Sequence, residues 1–144
     1  MTDAKNKKYT FTFEIANNHM GDVSHGKELL NEISKITNKY DYNFLVKFQF
    51  RDLDTFIHPD YKGNHEFKFV KRFEETYFTD DQWHETINYA KSLGFGLMCT
   101  PFDENSVPRV SSMGFDVLKI ASCSFTDWPL LEEIAKHDLP IIAS

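Results

Sequence analysis

Residues 44–50 read FLVKFQF, and these seven positions decide the fold. Side chains alternate along an extended chain, so Phe44, Val46, Phe48 and Phe50 share one face while Leu45, Lys47 and Gln49 share the other. A parallel strand covered by helices on both faces is apolar throughout and has no use for a charge in its middle. A strand of a closed β/α barrel does, because one face packs on the surrounding helices and the other looks at the barrel axis.

Working outward, four more short runs carry the same signature: YTFTFEIA at 9–16, FGLMCTP at 95–101, VLKIAS at 117–122 and PIIAS at 140–144. Phe11, Phe13 and Ile15 oppose Thr12, Glu14 and Ala16; Phe95, Leu97 and Cys99 oppose Gly96, Met98 and Thr100. Leu118 and Ile120 oppose Lys119 and Ala121, and Ile141 and Ala143 oppose Ile142 and Ser144. Each run thus brings a polar residue towards its C-terminal end, where barrel enzymes keep their active sites.

Helical patterns separate the runs. Residues 25–38 place Leu29, Leu30, Ile33 and Ile36 on one face, and residues 80–93 do so with Trp83, Ile87, Ala90 and Leu93. Thr79 with Gln82 forms a capping-box pattern, Asp103 precedes a helical stretch, and Asp127 stands two residues before Pro129. Strands alternating with helices make βαβ units. The expected class is α/β, a (β/α)8 TIM-type barrel of which this chain holds the first five strands. Residues 1–8 form a tail, residues 9–144 an incomplete barrel, and residues 51–78 a long charged and aromatic loop without a clean period. Placed after the second strand, that loop is expected to cover substrate or to touch another subunit.

Composition narrows the functional classes. The chain has 144 residues, 41% hydrophobic and 26% charged, with 14 Phe against 2 Trp, which fits one domain with a real core. Its net charge of −6 disfavours nucleic acid and anionic membranes as partners. No apolar run approaches the roughly 20 residues of a membrane span, and MTDAKNKKYT lacks the apolar core of a signal peptide, so the cytosol is the expected compartment. Cys99 and Cys123 make neither a zinc pattern nor a disulfide framework, and both are expected to be buried.

The chemistry gathers on the inward face. Two lysines in a barrel mouth, Lys47 and Lys119, are costly unless something negative meets them. Glu14 balances one; the other calls for a ligand carboxylate or phosphate, with the hydroxyls of Thr100, Ser122 and Ser144 as further donors. An internal Glu–Lys pair without a ligand is the bland alternative, and a lysine of lowered pKa forming an imine is a sharper one. The segment NNHMGD, Asn17 to Asp22, follows the first strand, so Asn18 and His19 are expected to overhang the same mouth. His84-Glu85 lacks the second histidine of a zinc-protease helix and reads as a surface pair.

EIANNHMGD, VKFQF, CTPFDENSV, KIASCSFTDWPLL and PIIAS, in this order and spacing, resemble the sialic acid synthase family, the N-acetylneuraminate synthases and their relatives. The resemblance runs from about Tyr9 to Ser144. It implies a barrel that condenses phosphoenolpyruvate with an N-acetylated amino sugar, typically N-acetylmannosamine, with release of phosphate. It further implies that Lys47 and Lys119 contact phosphoenolpyruvate rather than form an imine, and that Thr100, Ser122 and Ser144 are ligands for its carboxylate or phosphate. Glu14 then stands by the reacting centre and Gln49 contacts the sugar. A divalent metal, manganese or magnesium, is implied as the Lewis acid on the aldehyde, held by histidines of later strands, so these residues alone are expected to turn over negligibly. A homo-oligomer, a dimer, is the expected assembly, and the family implies, in many members, a C-terminal domain resembling antifreeze protein. The alternatives are a related phosphoenolpyruvate-dependent sugar-acid synthase and a non-catalytic anion- or sugar-binding module.

Overall fold

A computed structural model describes residues 9–144; the expected tail at 1–8 lies outside the described residues. The strands are β1 (Thr10–Ala16), β2 (Asn43–Phe50), β3 (Gly96–Pro101), β4 (Val117–Ile120) and β5 (Ile141–Ala143). The helices are α1 (Val23–Thr37), α2 (Leu53–Phe56), α3 (Lys68–Glu75), α4 (Asp80–Ser92), α5 (Ser106–Ser112) and α6 (Trp128–Ile134).

All the ladders are parallel and the strands lie in the order β1-β2-β3-β4-β5. That order decides between the two α/β architectures. A doubly wound sheet reverses direction at a switch point, whereas right-handed crossovers that always step to the next strand put every helix on one side and curl the sheet towards closure. The arrangement is therefore the first part of a barrel.

The core confirms the alternation. Val46, Phe48 and Phe50 of β2, Leu97 and Cys99 of β3, and Leu118 and Ile120 of β4 are buried in one cluster with Leu30, Trp83, Ile87, Val107, Val110, Leu130 and Ile134 from the helices. Phe48 alone, wholly buried, contributes about 2 to 3 kcal/mol by removal from water. Its ring meets that of Trp83 edge to face at 5.7 Å.

Helix starts follow local chemistry. Asp22 caps α1 through bonds from the amides of Ser24 and His25, and the Thr79–Gln82 capping box opens α4 in both directions. Asp127 accepts from Leu130 N at the start of α6. Asp103 serves α5 from three residues upstream: its carboxylate accepts from Ser106 N, Ser106 Oγ and Asp52 N, which ties the β3–α5 turn to the end of β2.

Three expectations are corrected here. Ile36 is 59% exposed because the last turn of α1 buries Ser34 and Thr37 instead. Cys123 is exposed in a 3-10 turn, Ser122–Ser124, after β4, while Cys99 is buried as expected. Residues 51–78 are not a structureless loop: α2, a 3-10 turn at Pro59–Tyr61 and α3 occupy most of them. Elements of three to eight residues are too short to print a period in the sequence.

Candidate active site

The register sets the mouth out in layers. Glu14 of β1 pairs with Lys47 of β2, Lys47 with Met98 of β3, and Gln49 with Thr100. Glu14 and Lys47 form an ion pair, with 16% of the lysine side chain exposed. Lys119 of β4 meets no carboxylate among the described residues: its ammonium donates to Ile120 O at 2.8 Å and to Ser144 Oγ. Burial, and then the positive charge of Lys47, draws the Lys119 ammonium below the usual lysine range, while Glu14 partly offsets this. Among the described residues, one lysine of this layer is paired with a carboxylate and the other is not.

Thr100 adds an unmet donor. It is 2% exposed and its Oγ1 has no hydrogen-bond partner, beside Gln49 in register. A buried hydroxyl without a partner costs about 1 to 3 kcal/mol, so the position favours a ligand oxygen. Ser144 touches Lys119 directly. Ser122 is exposed in the turn after β4, and among the described residues no hydrogen bond joins its side chain to either lysine; Asn18 is exposed in the turn after β1.

His19 does not overhang the mouth. It is 1% exposed, stacked on Phe78 at 4.0 Å and against Trp83 at 5.8 Å, and its Nδ1 accepts from Gly21 N at 3.3 Å. The cause is the turn after β1. The strand ends in an irregularity, with Glu14 paired to Lys47, Ala16 to Phe48 and Ala16 at φ 49°. Residues 17–21 then turn back, held by bonds from Asn18 N to Ile15 O and from Asp22 N to His19 O, and fold the histidine onto Phe78 and Trp83.

Burial, with smaller help from Arg72 and His25, pushes the His19 pKa down to about 4. The unfolded chain then binds a proton between pH 6.5 and 4 that the native state refuses, so stability rises with pH across that window. As pH falls from 6.5 to 4 the native state is expected to lose roughly 3 kcal/mol through this group. Denaturant midpoints should show a shallower pH dependence in His19→Asn than in the wild type over the same range; parallel curves would exclude the assignment.

On the other side of the mouth, Gln49 and Asn17 are joined by residues that the sequence reading passed over, Arg51, Arg72, Phe73 and Thr76. Arg51 continues the inward parity of β2 past Gln49, and its Nη2 donates to Gln49 Oε1 at 3.0 Å. Its guanidinium lies 4.0 Å from the Phe102 ring centre and 4.4 Å from that of Phe73 in α3. Asn17 donates to Thr76 Oγ1 at 3.2 Å, and Arg72 of α3 donates to Asn17 O at 3.3 Å, so the β1–α1 loop and α3 are joined above the strands. Asn17, Gln49, Arg51, Phe73, Thr76 and Tyr77 line a small cavity of about 30 Å³, room for one or two waters. The signal available was the i+2 spacing from Lys47 to Gln49 to Arg51.

Among the described residues no three His, Cys, Asp or Glu side chains gather where a metal ion could sit. The residues present do not make the implied metal centre, and no step below passes through one. No helix of the described residues is long and apolar enough to cross a membrane.

Comparison with known proteins converges on one family. The NeuB family model matches residues 37–144. N,N'-diacetyllegionaminic acid synthase of Legionella pneumophila is 30% identical over 142 residues, covering 91% of this chain and 38% of that protein. A solved structure from Chromobacterium violaceum, which bears the name spore coat polysaccharide biosynthesis protein E, superposes with a TM-score of 0.90 at 50% identity over 94% of this chain and 40% of its own. The N-acetylneuraminic acid synthetase of Leptospira borgpetersenii shares the fold, with a TM-score of 0.76 at 22% identity over 96% of this chain and 44% of its own. The chain spans about two fifths of the length of the curated relatives it matches.

Proposed function

The chain belongs to the NeuB family, and from that premise we propose that the full-length protein is a sugar-acid synthase condensing phosphoenolpyruvate with an N-acetylated amino sugar of the N-acetylmannosamine kind. Carbon 3 of phosphoenolpyruvate bonds to the aldehyde carbon, water supplies the new oxygen on carbon 2, and phosphate leaves, giving a nine-carbon sialic-acid-type product. The reading includes a cytoplasmic homodimer and a divalent cofactor, manganese or magnesium, held by residues other than those described.

The observation that carries the reading is the uncompensated Lys119 beside Ser144, in a mouth where Lys47 is already paired with Glu14. Phosphoenolpyruvate brings about three negative charges, and departure of phosphate places more charge on its oxygens. A preorganised ammonium stabilises that change more than it stabilises the ground state. Thr100 Oγ1, buried and unpartnered, supplies a donor from the neighbouring strand, with Ser122 and Ser144 as the remaining hydroxyls. Glu14 holds Lys47 in place beside the reacting carbons, and Gln49, Asn18 and the rim receive the sugar.

The test is to supply the full-length protein with phosphoenolpyruvate, a divalent metal and a panel of amino sugars and aldose phosphates. One phosphate per acidic sugar formed is expected, with an N-acetylated amino sugar preferred. Preference for an aldose phosphate would move the protein to the related synthase, and phosphoenolpyruvate binding without phosphate release would make it a binding module. Borohydride added during turnover is expected to trap nothing on Lys47 or Lys119; a reduced adduct there would establish imine chemistry instead.

A further inference from the structure

Arg51 stands out as a cation that forms no ion pair among the described residues. Its carboxylate neighbour, Asp103, is committed to Asp52 N and to the amide and hydroxyl of Ser106, and no ion pair involves Arg51 among the described residues. Its Nε is buried without a hydrogen-bond partner, and burial lowers its pKa to about 10, so it remains charged at neutral pH. Two aromatic faces, Phe102 and Phe73, lie against the guanidinium, and its one hydrogen bond among the described residues goes to Gln49. A part-buried charge without a carboxylate is a poor way to stabilise a fold, since an apolar side chain of similar length would fill the same slot between two rings.

The bond to Gln49 has a direction that chemistry fixes. A guanidinium only donates, so the amide must turn its carbonyl oxygen to Arg51 and its two N–H groups away from it. The Gln49 side chain makes no other hydrogen bond among the described residues, so both donors stay available on the inward face, level with Thr100. Without Arg51 the amide is free to flip and to offer an oxygen instead.

We propose that Arg51 is a positioning residue for the acceptor sugar, clamped by Phe73 and Phe102 so that it locks the Gln49 amide as a pure donor towards the mouth. The rim then selects an acceptor that presents a carbonyl or other lone-pair oxygen there, as an acylamino group does, over one that presents a hydroxyl hydrogen. This rests on the proposed synthase reading and adds the residue that orients Gln49.

The experiment is a double-mutant cycle in the full-length protein, with phosphoenolpyruvate and N-acetylmannosamine as probes. Arg51→Met is expected to raise the KM for N-acetylmannosamine about tenfold, the size of one charge-assisted hydrogen bond, with the KM for phosphoenolpyruvate within twofold. The melting temperature is expected to stay level or rise, because a desolvated charge has been replaced by an apolar chain. In a Gln49→Ala background the effect of Arg51→Met on the acceptor KM should vanish, since Arg51 acts through Gln49. Arg51→Lys, which keeps the charge but loses the planar fork, should not restore the acceptor KM.

A persisting effect in the Gln49→Ala background would overturn the proposal in favour of direct contact between Arg51 and substrate. A fall in melting temperature with both KM values raised together would overturn it in favour of a structural role. Wild-type protein that turns over normally while Arg51→Met is unchanged defeats the inference alone; wild-type protein that forms no product with any acceptor defeats the synthase reading and the inference with it.

Discussion

Lys119→Met is expected to lower kcat/KM for phosphoenolpyruvate by at least a hundredfold while leaving the fold intact. Among the described residues Lys119 is the lysine of the mouth without a carboxylate: its ammonium rests on a backbone oxygen and the Ser144 hydroxyl, and neither removes the positive charge. A charged contact in a partly desolvated site is worth about 3 kcal/mol or more when the partner is a multiply charged phosphate, which is about two orders of magnitude in rate. Lys47→Met is a less clean experiment. It strips Glu14 of its partner and leaves a free carboxylate facing the incoming anion, so its loss mixes missing attraction with new repulsion. Phosphate release measured with the two variants and with the pair Lys47→Met, Glu14→Gln separates those contributions: the pair should recover part of the Lys47→Met loss, and Lys119→Met should stay low at every salt concentration. Near-normal kcat/KM in Lys119→Met would remove this lysine from the site.

The second large effect is expected at Gly21. This residue sits at φ +72°, and a Cβ there would lie 2.4 Å from the backbone oxygen of Glu75 at the end of α3. The left-handed conformation alone costs a side chain about 1 to 2 kcal/mol, and the clash with a main-chain atom has no flexible end to give way. Gly21→Ala is therefore expected to destabilise by about 3 to 4 kcal/mol, or to push α3 off the β1–α1 loop. In the second case the Asn17–Thr76 and Arg72–Asn17 bonds open and Phe73 leaves Arg51, so the acceptor KM rises with little change for phosphoenolpyruvate. Gly63→Ala is the control. It has a nearly equal φ of +71° with nothing within 4 Å of the added carbon, so it should cost only the conformational part. Equal melting temperatures for the two variants would show that the contact with Glu75 carries no weight.

Most of the barrel was legible because its information is local. Two-residue alternation in FLVKFQF separates Phe48 from Lys47 whatever the rest of the chain does, and the burial of the one and the ion pair of the other follow from it. The Thr79–Gln82 cap was visible for the same reason. His19 was misplaced because residues 17–21 turn back after β1 instead of reaching over the strand ends, and nothing in EIANNHM shows the direction of that turn. The segment 51–78 was opaque because Phe56, Phe69 and Phe73 belong to helices too short to repeat. Arg51 was overlooked although its spacing from Lys47 and Gln49 was plain: its partner rings, Phe73 and Phe102, lie 22 and 51 residues away along the chain and meet only in three dimensions.

The strand order bears on how the chain is made. Each strand from β2 onward pairs with the strand just before it in sequence, so every ladder can close as soon as its second strand leaves the ribosome, with its partner already in place. The lysines are made in the same order: Lys47 and its partner Glu14 both precede Lys119 in the chain. Of the two inward ammonium groups, the one that meets no carboxylate among the described residues is thus the last to be made.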